Sequence, residues 1–285
     1  MSTDSRLLML GLRGSGKTTF LAALWHYLES AELSDRLALP QLQPHRDYLN
    51  SIRSNWLALK AVGRTSLRAS STVSLSLHDK TTGSDIDILV PDLSGESFRL
   101  QWSTRKAPVE YVSFARESTG VFLFVHPHRV KKTHAITMPT EHGLDSVADR
   151  SDRILPAPNW SPEQSSTQVQ LVDLLQLLLR MREVATPMRV AVIISAWDLI
   201  KVRISPLGWL DSRLPLLSQF LRANHGELAS AIFGTSAQGG DLVTDRTRLL
   251  ENSVPSSRGY AVKDGSIEPI AITAPLRFLL NAEHS

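Results

Sequence analysis

The chain of 285 residues carries near its start the stretch GLRGSGKT, Gly11–Thr18, in which Gly11, Gly14 and Gly16 precede Lys17 and Thr18. This fits GxxxxGK(S/T) in full, lying after the apolar segment Leu7–Leu12 and opening the helical pattern Lys17–Glu29. The chemistry it suits is phosphate binding. The glycines let the backbone curl so that successive N–H groups point at anionic oxygens, and the helix adds its positive N-terminal end. Lys17 brings a point charge to the β- and γ-phosphates, and the Thr18 hydroxyl is suited to ligate Mg2+. Arg13, Ser15 and Thr19 complete the phosphate-facing loop.

Three further groups of residues each follow an apolar strand pattern. In IDILVPDLSGESF, residues 86–98, the strand delivers Asp92 at its C-terminal end, where an open parallel sheet binds ligands. Asp92 is suited to hold Mg2+ through water, and Gly95 to bring its N–H to the γ-phosphate. The same residues also make an ordinary turn; their place after the phosphate loop favours a phosphate sensor. In IISAWD an apolar run stops at Ser195, and Asp198 follows three positions later. An aspartate there is either a helix N-cap or a ligand to a base. FGTSAQ places Ser236 and Ala237 just past a last short strand.

These residues need a scaffold that brings several strand ends together. Leu7–Leu12, Thr72–His78, Ile86–Val90, Gly120–Val125, Val190–Ile194 and Ala231–Phe233 read as strands, the second and third forming a hairpin. Helical patterns lie between them at Lys17–Glu29, Phe98–Ala115, Val169–Val184 and Pro206–Ala223, with a terminal helix starting near Pro275. Strands alternating with helices indicate a three-layer α/β/α fold of the P-loop NTPase kind, its sheet mostly parallel with one antiparallel edge strand. One domain over residues 1–285 is expected, with long insertions at about 127–166 and 237–268.

Composition narrows the classes. Hydrophobic residues make up 42% and charged residues 21%, as in a water-soluble globular protein. A formal charge of +3 is too small to argue for direct binding of nucleic acid. With no cysteine there is neither disulfide nor thiolate metal site, and a reducing, cytoplasmic setting fits. The N-terminus reads as a first strand instead of a signal peptide. The most apolar helical stretch, LVDLLQLLLRM, is too short and too charged to span a bilayer. HPHRVKKTH, with His126, His128 and His134, lacks well-spaced acidic ligands and reads as a basic surface segment before it reads as a metal site.

The order P-loop, Asp92-x-x-Gly95, Ser195-x-x-Asp198 and Ser236-Ala237 resembles the Ras-like GTPases. More of the chain is covered by a likeness to the double-GTPase group of bacterial conflict systems, in the translation-factor-related class. It is carried by PDLSGESF with WSTR, then FLFVHP, SAWD and APLRFLL. The resemblance implies Ras-like topology and a GTP/GDP switch that needs Mg2+. It also implies protein partners from the same operon, a second GTPase or effector proteins. Asp198 would accept hydrogen bonds from guanine N1 and N2, and the Ala237 N–H would meet O6. Ser195 stands where the family has Asn or Thr, and Ala196 where it has a lysine that lies along the base, leaving Trp197 as a source of apolar cover. A threonine closing on Mg2+ is expected at Thr65, with Thr72 as the alternative, and Arg64 or Arg68 beside it as a finger in cis. Glu96 takes the place of a water-orienting glutamine; a carboxylate facing the γ-phosphate implies slow intrinsic hydrolysis. A P-loop ATPase or small-molecule kinase, and a non-hydrolysing nucleotide sensor, are the competing readings.

Overall fold

The computed structural model describes residues 4–30, 37–60, 72–91, 96–132, 162–251, 254–265 and 269–280. Its centre is a five-stranded parallel sheet made of β1 (Ser5–Gly11), β4 (Ser84–Val90), β5 (Gly120–Val125), β6 (Met188–Ser195) and β7 (Leu228–Ser236). All six residues of β5 are buried, as are seven of the eight in β6, since helices cover both faces. That is why these strands read as continuous apolar runs. By contrast β3 (Val73–Asp79) alternates strictly, with Val73, Leu75, Leu77 and Asp79 buried and the residues between them partly exposed. It pairs antiparallel with β4 as a hairpin, whose turn is closed by Asp79 accepting the Thr81 N–H at 2.9 Å.

The full sheet has nine strands in the order β2-β3-β4-β1-β5-β6-β7-β8-β9, with β2 at Leu37–Ala38, β8 at Tyr260–Lys263 and β9 at Ile270–Ala271. The expected α/β architecture is present, and the expectation of one antiparallel edge strand is corrected. Both margins are antiparallel: β2 and β3 on one side, β8 and β9 on the other. The stretch 237–268, read as an insertion, supplies α8 (Arg246–Glu251) and β8. Its short strand was hidden because four residues at a sheet margin carry little periodic signal.

Helices α1 (Lys17–Glu29), α2 (Arg46–Leu57) and α9 (Ala274–Leu279) pack on one face. On the other lie α3 (Glu96–Thr104), α4 (Val109–Arg116), α5 (Thr167–Met181), α6 (Pro206–Arg213) and α7 (Pro215–Ala223). Two expected single helices are in fact pairs. Phe98–Ala115 breaks between α3 and α4, where Arg105 has φ 58° and Pro108 precedes the new helix. Pro206–Ala223 breaks at Leu214, ahead of Pro215.

The sequence pattern assigns no helix between Glu29 and Thr72, yet α2 lies there. Its Tyr48, Leu49, Ile52 and Trp56 form one apolar stripe against α1. Trp25 Nε1 of α1 donates to Asn50 Oδ1 at 2.9 Å, and Arg53 pairs with Glu29. This helix matters for the site because its C-terminal turn reaches the loop after β7.

Candidate functional site

The segments that follow β1, β5, β6 and β7 converge at the C-terminal edge of the parallel sheet, where open α/β folds bind ligands. Gly11–Thr18 lies between β1 and the first turn of α1. Gly16 has φ 96°, and a Cβ there would come within 2.7 Å of Ser195 Cβ and Oγ. Only glycine fits both the backbone and the approach of β6. Ser195 is buried, and its hydroxyl donates to the Ser15 carbonyl at 2.8 Å and stands 3.2 Å from that of Val125. One side chain thus ties the phosphate loop to the ends of β5 and β6.

Lys17 is 3% exposed. Its ammonium donates to the Gly11 carbonyl at 2.6 Å and the Leu12 carbonyl at 3.3 Å, and lies 5.8 Å from the centre of the Phe98 ring. The loop therefore holds the charge on its own carbonyls beside the anion cradle. Thr18 and Thr19 are half-buried at the start of α1, and Arg13 is exposed. Ser15 Oγ is buried with no hydrogen-bond partner among the described residues, a polar atom suited to a ligand.

A cavity of about 400 Å3 opens beside this loop, within the range of small-molecule sites. Gly16, Thr19 and Phe20 line it from α1, Ala196 and Asp198 from the loop after β6, and Ala237 from the loop after β7. Thr235, on the same wall, has a buried Oγ1 without a partner among the described residues. So Ser195, Asp198 and Ala237, far apart in the chain, meet the phosphate loop at one cavity. Ser236 is fully buried beneath it, its Oγ accepting the Gly239 N–H at 3.0 Å. A purine fits this set: apolar walls, the carboxylates of Asp198 and Asp241, and the orphaned Thr235 hydroxyl.

Trp197 does not line the cavity; its ring lies on Gly234 of β7, where a Cβ would approach Cδ2 to 2.2 Å. Apolar cover of a base, expected of Trp197 from sequence, would require the ring to leave this position. The ring instead buries itself against the sheet with the apolar cluster of that face and so props the turn carrying Asp198. Gly234→Ala is accordingly expected to cost about 1–3 kcal/mol of stability from overpacking. It would also weaken any base preference, because the ring must move and Asp198 with it. Urea denaturation reads the first effect and nucleotide competition the second; unchanged values in both would refute the prop.

Several expected residues fall elsewhere. Arg64, Thr65, Arg68, Asp92, Gly95 and His134 lie outside the described residues. Glu96 opens α3, and its side chain is likewise outside the description. Thr72, the alternative threonine, stands just before β3 with its Oγ1 3.5 Å from the Pro91 carbonyl. Among the described residues no group of three or more His, Asp or Glu is placed to hold a metal, and no helix is long and apolar enough to cross a membrane.

The cavity also includes Lys60, His126, Gln238 and Asp241, which sequence reasoning did not select. His126 had a usable signal, standing just past the end of a buried strand in FLFVHP. Its pKa is lowered from 6.5 by burial first and then by His128 and Arg129, against an opposing pull from Asp198. Nδ1 accepts the His128 N–H at 3.2 Å. A depressed histidine stays neutral in the folded chain while the unfolded chain already takes its proton. Stability is therefore lost as pH falls through 6.5 toward the lowered value. Denaturation midpoints between about pH 5 and about pH 8 should show a shallower acid decline for His126→Gln than for the wild type; parallel profiles would sink this assignment.

No functionally curated protein matches this sequence. Among solved structures, the chain is similar to the bacterial selenocysteine-specific elongation factor EF-Sec, at 12% identity and TM-score 0.35 over 86% of this chain and 28% of that one. It is also similar to the GTPase-like domain of S. cerevisiae Ski7, bound to GTP, at 13% identity and TM-score 0.44 over 100% of this chain and 51% of that one. The chain thus spans about half the length of one and just over a quarter of the other. Residues 8–279 match the model of the Double-GTPase 1 family, and the chain belongs to that family.

Proposed function

We propose that this chain binds GTP and GDP with Mg2+ and hydrolyses GTP slowly, as a cytoplasmic switch read by protein partners in a bacterial conflict response. The partners would be a second GTPase or effector proteins encoded beside it. The observation that carries guanine binding is that Asp198 and Ala237 line one cavity with Gly16 and Thr19 of the phosphate loop. A carboxylate accepts from the two donors on the guanine edge, and adenine offers no such pair to it. A backbone N–H suits the O6 acceptor on the same edge, where adenine carries an amino group.

The residues divide the work. The N–H groups of the loop Gly11–Thr18 and the Lys17 ammonium hold the phosphates, and Ser195 fixes that loop to the sheet. Thr18, Asp92 and one of Thr65 or Thr72 would hold Mg2+, which would supply charge that neutralises the nucleotide's phosphates. Arg64 would supply the cis cation. Glu96 follows Gly95 in the sequence, and a carboxylate facing the γ-phosphate there would repel it, so slow hydrolysis raised by a partner is the expected behaviour. The partner class rests on family membership alone.

The test is displacement of fluorescent GTP from nucleotide-free protein in Mg2+ by unlabelled GTP and ATP. ATP displacing it as well as GTP would end the guanine reading. Multiple-turnover phosphate release then separates a slow enzyme from a sensor that holds nucleotide without cleaving it.

A further inference from the structure

The base cavity has a cation that comes from α2, outside the four sequence motifs. Lys60 lies three residues past the end of α2 and lines the cavity with Asp198 and Ala237. The turn that carries it is bound at four points to the segment between β7 and β8. Trp56 Nε1 donates to the Ala237 carbonyl at 2.9 Å, and Gln238 Nε2 stands 3.4 Å from the Trp56 carbonyl. Arg246 donates to the Leu59 carbonyl at 2.8 Å, and Arg258 stands 3.4 Å from that of Leu57. The Lys60 N–H itself bonds the Asn55 carbonyl at 2.9 Å. The backbone of Lys60 is therefore fixed on the cavity wall as part of one unit with Ala237. No ion pair engages its ammonium among the described residues.

The opposite wall gives the reason this matters. Ala196 presents a methyl to the cavity, and the neighbouring Trp197 is turned onto Gly234. A flat base seated on Asp198 meets only apolar, uncharged side chains, Ala196 and Leu199, from the rest of that loop. Lys60 is the cavity-lining residue with both an apolar stem and a charge, the combination that covers an aromatic face while keeping its head in water. We propose that Lys60 is a nucleotide-binding residue whose stem lies over the purine and whose ammonium adds a cation–π contact. The inference rests on the guanine reading for the seating of the base. The competing explanation is a lysine that does no more than complement the C-terminal end of α2, which stabilises the helix and leaves nucleotide affinity alone.

The experiment is competitive titration of fluorescent GTP by GTP, GDP and ATP on the wild type, Lys60→Ala and Lys60→Met, with urea denaturation of each. Lys60→Ala is expected to weaken GTP and GDP equally, by about three- to tenfold, with Lys60→Met between it and the wild type. Equal loss follows because both nucleotides share the base. Unchanged affinity with lowered stability would leave only the helix-end role and overturn the proposal. A loss confined to GTP would place the ammonium at the outer phosphate and overturn it as well. Lys60→Met matching the wild type would overturn the charge contribution. If the wild type fails to prefer GTP over ATP, the guanine reading falls by itself, and the same three proteins titrated with ATP still decide whether Lys60 covers a base.

Discussion

Asp198→Ala is expected to lower the preference for GTP over ATP by about 100- to 10,000-fold while leaving ATP affinity near that of the wild type. The carboxylate is half-buried on the cavity wall, in a 3-10 turn that Trp197 props against β7. A charged acceptor that takes two donors loses roughly 1.5–3 kcal/mol per bond on removal, and the donors left facing an apolar wall add to the loss. ATP never used those bonds. Displacement of fluorescent GTP by each unlabelled nucleotide reads the ratio directly. If Asp198 instead only places a negative charge in the first turn of that 3-10 segment, the variant keeps its discrimination and loses about 0.3–1 kcal/mol of stability.

Lys17→Ala should show the opposite signature. Its ammonium lies 2.6 Å from the Gly11 carbonyl, at the centre of the loop that wraps the phosphates. Removing it takes away a charge-assisted contact to two phosphate groups, so affinity for GTP and ATP is expected to fall together by about 100-fold, with their ratio unchanged. Stability is expected to fall by about 1–3 kcal/mol, since the buried Gly11 carbonyl loses its partner. Equilibrium titration with both nucleotides checks the first statement and urea denaturation the second. A selective loss of GTP would mean that Lys17 reads something other than phosphate. Read together, the two variants separate base recognition from phosphate recognition, which either one alone leaves entangled.

Much of the scaffold was readable because its signals are local. The buried strands announce themselves as apolar runs, β3 as an alternation, and the terminal helix by Pro275 in its first turn. The breaks at Pro108 and Pro215 were present in the sequence too, but an amphipathic pattern continues across each and masks them. Helix α2 was illegible for another reason. Its mean composition is polar, and only four residues, Tyr48, Leu49, Ile52 and Trp56, carry the stripe that packs on α1. Such a helix is held by its neighbour more than by its own propensity.

The sequence by itself determined the path of the loop after β1, because GLRGSGKT encodes it: glycines at fixed offsets, then a lysine and a helix start. It also put Asp198 and Ala237 at the ends of strands, since a strand's end is marked where its apolar run stops. Tertiary structure alone decided which side chains share a cavity with them. The bond from Trp56 to Ala237 spans 181 residues, and that contact brings Lys60 to the cavity. The direction of Trp197 depends on β7 pairing beside β6, with a glycine under the ring. Contacts of that range come from sheet order and packing, for which a one-dimensional pattern carries no term.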